Sequence, residues 1–183
     1  TATGCKVTGM TVSNFSTGKL ADLSFKLEGM GFNQEVGVLG VTPSFQESLP
    51  PIMLSAYVYQ DGVEIPINEL SLSIENSLGF ITSTASENGK ISSRVTSRTV
   101  KGSINPYKQG DSVANFTKFN TNSSFSLFAY AKNPTAVSGE FSQVVAIYLP
   151  CCLITELSES DKDGILQEGI SFSASRGTTG AND

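Results

Sequence analysis

The stretch LADLSFKLEG (residues 20–29) alternates apolar and polar side chains, and this alternation indicates the fold class. In an extended strand Leu23, Phe25 and Leu27 lie on one face, and the polar residues between them lie on the other. Such two-faced strands are typical of antiparallel sheets. The same period of two recurs in other segments, which are residues 5–13, 52–59, 70–76, 90–104, 124–131, 141–150, 152–157 and 164–175.

These segments predict an all-β fold, mainly antiparallel, built as a sandwich or barrel of about eight to nine strands. The length of 183 residues fits a single domain that covers residues 1–183. The dipeptide Asp61-Gly62 predicts a hairpin turn. One short flanking helix is predicted after Pro106, with Asp111 as its cap and Val113 and Phe116 on one side.

Residues 30–51 break the pattern, since they are rich in Gly, Gln, Glu and Pro and have little periodicity. Loops of this length in compact domains are usually functional or disordered. We expect either an arm that reaches a neighbouring subunit or a mobile surface loop. The apolar residues on which the arm hypothesis depends are Val36, Val38, Leu39, Val41 and Phe45.

Charge and composition disfavour several partners. The chain carries a formal net charge of -5, so its surface repels polyanions and ordinary nucleic-acid binding is disfavoured. No apolar run approaches the roughly 20 residues that cross a bilayer, and we expect no membrane partner. The odd set Cys5, Cys151 and Cys152 lacks zinc-type or redox spacing, which favours reduced cysteines in a fold without a redox role.

The sequence lacks the commonest signatures of catalysis. Histidine is absent, which removes the commonest general base and every Ser-His or Cys-His pair. A carboxylate pair for glycoside hydrolysis could converge from distant strands, but tryptophan is absent and aromatics are few, which disfavours a sugar-stacking platform. We expect no enzyme activity and no cofactor.

The acidic stretch SESDKDGILQEG (residues 158–169) opens like a calcium loop. Counted from Asp161, however, glycine arrives at the fourth position, and Glu168 comes too early for the bidentate ligand. The ligand spacing fails, and Asp163-Gly164 instead predicts a hairpin turn between two strands. We expect no metal site.

A basic stripe is predicted on the strand that begins at residue 90. With unbroken alternation Lys90, Arg94 and Arg98 share one face, and Ile91 and Val95 lie opposite. Three interpretations of Arg94 and Arg98 stay open. The two side chains contact a neighbouring subunit, or they form a plain solvated surface, or they bind phosphates.

Three segments together resemble the major tail tube proteins of tailed bacteriophages. They are GCKVTGMTVSNFSTGKLADLSFKLEGMG at the N-terminus, LSLSIENSL and SRTVKGSINPY in the centre, and VVAIYLP and DKDGILQEGISFSA near the C-terminus. The similarity covers residues 4–174 and depends on the order of strand-and-turn patterns. Family members have further strands before the first segment, so the resemblance implies either a short member or strands upstream of the printed sequence.

The resemblance implies a structural virion protein of the phage tail, made in the host cytoplasm. Copies would form hexameric rings that stack into a tube, with tape-measure and tail terminator proteins as partners, and DNA would pass without specific binding. A carboxylate-rich lumen suits that passage, because cation contacts to each phosphate would slow it. The lumen-lining candidates are Asp22, Glu28, Glu75, Glu87 and Glu140. The alternative function is a carbohydrate- or receptor-binding β-sandwich module of a phage tail or an adhesin.

Overall fold

The computed structural model describes residues 2–16, 18–20, 22–32, 56–86, 89–108, 113–132 and 144–176. These residues form strands and one helix, α1 (Val113–Thr121). The strands are β1 (Ala2–Thr3), β2 (Lys6–Ser16), β3 (Asp22–Glu28), β4 (Gly31–Phe32), β5 (Ala56–Gln60), β6 (Val63–Glu64), β7 (Ile67–Thr82), β8 (Lys90–Pro106), β9 (Phe125–Lys132), β10 (Val144–Lys162) and β11 (Ile165–Ser175).

Nine of the strands form one antiparallel sheet in the order β3-β2-β7-β8-β11-β10-β9-β5-β6, and β1 pairs separately with β4. The sheet is not closed, because β3 and β6 stand at opposite ends of this order. The predicted all-β, antiparallel class with one short helix is confirmed. Within the described residues the predicted loop at 30–51 is represented by its first residues, which include β4, and residues 33–55 lie outside them.

The core lies on one face of the curled sheet. Strands far apart in the sheet order contribute to a single apolar cluster, since Val12 and Phe15 of β2 lie in the same cluster as Leu127 of β9 and Phe172 of β11. A twisted sheet of nine strands curls in this way to bury its apolar face. Phe125 and Phe172 meet edge to face with ring centroids 6.0 Å apart.

Both predicted hairpin turns are present. Asp61 and Gly62 have φ angles of 51° and 81°, and Asp163 and Gly164 have φ angles of 55° and 81°. Positive φ at both central residues is the requirement of a type I′ hairpin, and Asp-Gly satisfies it at low cost. Asp161 accepts a hydrogen bond from the Gly164 amide at 3.0 Å, so this carboxylate supports the turn.

β10 is one strand of 19 residues where the sequence predicted two, divided at Pro150. Proline cannot donate to the ladder, and the pairing of β10 with β9 is irregular between Leu149 and Cys152. A second irregularity lies between Ile154 and Glu156 in the pairing with β11. The proline therefore interrupts the ladder on one side without ending the strand.

Two hairpins run beyond their neighbours at opposite ends of the sheet. Past Glu75 and Thr99, β7 and β8 pair with each other alone among the described strands, and we call residues 76–98 the upper ribbon. Past Leu157 and Ile170, β10 and β11 continue to their turn, and among the described residues an isolated bridge from Tyr107 to Gln167 is their further backbone pairing. We call residues 158–169 the lower ribbon. Since β11 is antiparallel to β8, the two turns point in opposite directions.

Candidate assembly surfaces

Edge strand β3 carries an exposed apolar face. Leu23, Phe25 and Leu27 are 49%, 57% and 63% exposed, although they lie on the same side of the sheet as the core. Phe25 is opposite Met10, which is itself opposite Ile74, and both of these pack against the core. The apolar rows thus continue from the core onto β3, where nothing among the described residues covers them.

Within the described residues, neither end of the nine-stranded sheet has a further strand beside it. β3 pairs with β2 on one side only, and β6 pairs only with β5 within the described residues. An unpaired strand edge presents backbone N–H and C=O groups that can pair with another chain. β3 is the longer edge, with seven residues that are all exposed, whereas β6 has two.

Three predicted lumen residues lie on one face of the sheet. Two of them, Asp22 and Glu28, alternate with the apolar residues of β3, and so does Lys26. The third, Glu75, lies in one row with Gly9 and Lys26. Lys101 lies on this polar face too, because it is paired with Ser73, the neighbour of Thr11. The described part of this face therefore has mixed charge. Glu87 and Glu140 lie outside the described residues.

The predicted basic stripe is wrong, because a β-bulge in β8 changes the alternation. Ser77 is paired with Ser97, whereas the next residue, Leu78, is paired with Val95, so Thr96 is an extra residue. Arg98 is paired with Asn76 and Arg94 with Gly79, which places the two arginines on opposite faces. Lys90 stacks over the Phe80 ring at 3.8 Å from its centroid, and Arg98 Nε donates to Asn76 Oδ1 at 3.0 Å.

The remaining predicted interface residues lie outside the described residues, and the structure does not test them. They are Val36, Val38, Leu39, Val41 and Phe45. The predicted helix cap, Asp111, also lies outside the described residues.

Helix α1 binds the sheet through polar side chains. Gln60 Nε2 donates to Asn115 Oδ1 at 2.9 Å, and Asn115 Nδ2 donates to Glu168 Oε2 at 2.8 Å. Glu168 is only 5% exposed, so this hydrogen bond compensates a buried carboxylate. A cavity of about 240 Å³ lies beside the three side chains. Val113, Phe116 and Phe119 of the helix are exposed, and Val113 and Phe116 line a second cavity together with Leu157 of β10.

A second contact to α1 is the ion pair between Lys118 and Asp61. Asp61 also accepts a hydrogen bond from the Ser126 amide at 2.8 Å. Burial acts to raise the pKa of the Asp61 carboxyl, but the hydrogen bonds from Lys118 and Ser126 outweigh it and hold this pKa below its ordinary value. The carboxylate thus joins the β5–β6 turn, the helix and the start of β9.

An aromatic cluster on β5, β9 and β10 was not predicted. Tyr57 and Tyr59 each stack on Tyr130, with ring centroids 5.2 and 6.2 Å apart, and Phe128 lies 5.6 Å from Tyr130 and 6.3 Å from Tyr148. A hydrogen bond with Tyr130 raises the pKa of Tyr59. The cluster lies opposite the core face, since the alternate residues of β5 and β9 are buried. The signal for this cluster in the sequence is the alternation in AYVYQ and FSLFAYAK, which puts the aromatic residues of each strand on one face.

The cysteines and carboxylates give no sign of redox or metal chemistry in the described part of the chain. Cys5 is exposed and Cys152 is buried, and neither forms a disulfide with Cys151. Burial raises the pKa of the Cys152 thiol to about 12, so it stays protonated at neutral pH. No group of three or more His, Cys, Asp or Glu residues within the described ranges has the arrangement of a metal site.

Comparison of the sequence with known proteins adds no assignment. No family model matches the chain, and no characterised protein matches it. Among the described residues, no helix has the length and apolar character needed to cross a membrane.

Proposed function

We propose that this chain is a structural subunit that assembles with its own copies into rings, and that the rings stack as the tube of a phage tail. Two independent observations support this proposal. One is the resemblance of residues 4–174 to major tail tube proteins, which is also the source of the number six for the ring. The other is the geometry of β3, which is the edge strand of the sheet among the described residues and has a solvent-exposed apolar face.

The single observation that carries the proposal is the exposure of Leu23, Phe25 and Leu27 beside an open backbone edge. Completing the burial of each of these side chains contributes about 1 kcal/mol, and strand pairing adds hydrogen bonds. A contact between β3 of one copy and a different surface of the next is heterologous, and such contacts close into rings when the rotation permits.

The polar face of β2, β3 and β7 is the proposed lumen side. Asp22, Glu28 and Glu75 share this face with Lys6, Lys26 and Lys101, so its described charges balance and it would not hold phosphates strongly. DNA would pass such a surface without specific binding. Tape-measure and terminator proteins remain partners implied by the resemblance alone.

Negative-stain microscopy and light scattering of the purified chain test the proposal. We expect rings or hollow rods from the wild-type chain and monomers from the double variant Phe25→Ser with Leu27→Ser, because it removes the apolar edge. Val113→Ser removes an exposed apolar side chain from α1 and is the matched control. A wild-type chain that stays monomeric at every concentration and ionic strength would rule out the tube.

The aromatic cluster favours a second candidate function, a carbohydrate-binding module. Aromatic faces stack on the apolar faces of sugar rings, and Tyr148 and Phe128 are exposed on this surface. Titration with oligosaccharides, followed by tyrosine fluorescence, tests it. We expect saturable binding that is lost in Tyr148→Ala and kept in Tyr107→Ala, which lies outside the cluster. Absence of binding across a panel of neutral and acidic glycans would remove this candidate.

A further inference from the structure

The two ribbons give the molecule two different ends. The upper ribbon extends seven residues of β7 past the last pairing with β2, roughly 23 Å at about 3.3 Å per residue. The lower ribbon extends five residues past Leu157, about 17 Å by the same measure. Both ribbons are held by contacts with the rest of the chain, the upper one by the hydrogen bond from Lys6 Nζ to the Ser93 carbonyl oxygen and the lower one by the hydrogen bond from Asn115 to Glu168. Their outer residues have no neighbouring strand among the described residues and are available to a partner.

The upper ribbon is basic. By sequence, residues 76–98 hold three cations, Lys90, Arg94 and Arg98, and one carboxylate, Glu87, which gives a formal net charge of +2. Glu87 lies outside the described residues. None of the three cations takes part in the two ion pairs found among the described residues. The bulge at Thr96 distributes these cations over both faces of the ribbon.

The lower ribbon and its base are acidic. Residues 158–169 hold four carboxylates and one lysine, a formal net charge of -3. Of these carboxylates Glu168 is buried at the base, and Glu159, Asp161 and Asp163 are exposed. Lys108 pairs with Glu159, and this hydrogen bond raises the pKa of Lys108. Asp161 and Asp163 at the tip have no ion pair within the described residues.

Both tips also expose apolar side chains of similar size. Ile81, Ile91 and Val95 are exposed on the upper ribbon, and Ile165 and Leu166 on the lower one. The two surfaces are therefore alike in apolar content and opposite in charge. Like ends repel each other and unlike ends attract.

We propose that the upper ribbon of one copy docks against the lower ribbon of a second copy, in a head-to-tail contact along the strand direction. This inference rests on the proposed function, where it supplies the contact between successive rings and makes their stacking unidirectional. The open edge of β3 closes the ring, and the ribbons join one ring to the next. Because the charges are exposed, this axial contact is screened by salt.

The test is a double-mutant cycle read by the length of rods in micrographs and by light scattering. Arg94→Gln with Arg98→Gln neutralises the upper ribbon. Asp161→Asn with Asp163→Asn removes both carboxylates of the lower tip, and Asn keeps the acceptor for the Gly164 amide and tolerates the positive φ of residue 163. We expect each double variant to form normal rings but rods several-fold shorter than wild type.

The quadruple variant combines both pairs of substitutions and tests whether the two ribbons contact each other. If the ribbons face each other, its rods are close in length to those of either double variant, because both remove the same interaction. Lys101→Gln removes a cation from the polar face of β8 outside both ribbons and is the control, with rods of wild-type length expected. Rising salt shortens wild-type rods more than those of the neutralised variants.

Three results overturn the inference. Rods of wild-type length from either neutralised variant remove the electrostatic contact, as does equal shortening in the control. Fully additive shortening in the quadruple variant shows that the two ribbons act separately. Failure of the proposed function gives a different result. A wild-type chain that forms neither rings nor rods contradicts both proposals. Rods whose length does not depend on these charges contradict the ribbon contact alone.

Discussion

Leu23 and Leu72 lie in the same row of the sheet, on either side of Val12, yet Leu72 is 3% exposed and Leu23 is 49% exposed. Side chains in this row change from buried at β7 to exposed at β3, two strands away. The same substitution at these two positions therefore distinguishes a side chain that stabilises the fold from one that is available to a partner.

Leu72→Ala should lower the free energy of unfolding by about 2–5 kcal/mol, because it leaves a cavity in the core. Leu23→Ala should cost less than about 1 kcal/mol in the unassembled chain. Urea denaturation at low protein concentration measures both. Equal losses would mean that Leu23 is covered in the folded monomer.

Gly102 and Gly9 provide a matched pair of glycines in adjacent parts of the sheet. A Cβ at Gly102 would lie 2.5 Å from Phe172 Cζ and 2.6 Å from the Ser71 carbonyl oxygen, whereas a Cβ at Gly9 would meet Lys26 Cβ at 3.4 Å. Gly102→Ala should destabilise the fold by about 1–3 kcal/mol through overpacking. Gly9→Ala should change the denaturation midpoint little. A tolerated Gly102→Ala would mean that Phe172 can move aside.

The ion pair of Asp61 predicts a dependence of stability on pH. A carboxyl whose pKa is lowered on folding stabilises the fold above its unfolded pKa of about 3.9, and this contribution is lost as the pH falls through the folded value. Because both side chains are partly exposed, Asp61→Asn should cost less than about 1 kcal/mol at pH 7. Asn tolerates the positive φ of this turn.

Urea denaturation of wild type and Asp61→Asn between pH 7 and pH 2 measures this contribution. The difference between the two chains should shrink below about pH 4 and vanish once Asp61 is protonated. A difference that persists at pH 2 would assign the effect to the turn rather than to the charge.

The thiols should differ in reactivity. With a pKa of about 12, buried Cys152 should not react with a disulfide reagent at pH 8 in the folded chain, while exposed Cys5 reacts quickly. Mass mapping of the modified chain identifies the sites, and urea is expected to expose Cys152. Rapid labelling of Cys152 without denaturant would indicate local opening of β10.

Local patterns in the sequence predicted the strands and their turns, because alternation and Asp-Gly dipeptides act over a few residues. The face of Leu23 and Phe25 was predicted correctly, but its exposure was not, since it depends on how far the curled sheet covers its own edge. The cluster of Tyr57 on Tyr130 depends on a register between strands that are distant in sequence. Thr96 looks like any strand residue, so the bulge had no local signal.

That bulge makes strand β8 sensitive to length rather than to composition. Loss of the codon for Thr96 alone would return Arg94 and Arg98 to a common side without altering a single charged residue, and would also remove the methyl group that lies close to Gly79. A one-residue deletion there is thus a way to re-aim two guanidinium groups while the composition of the ribbon stays almost the same.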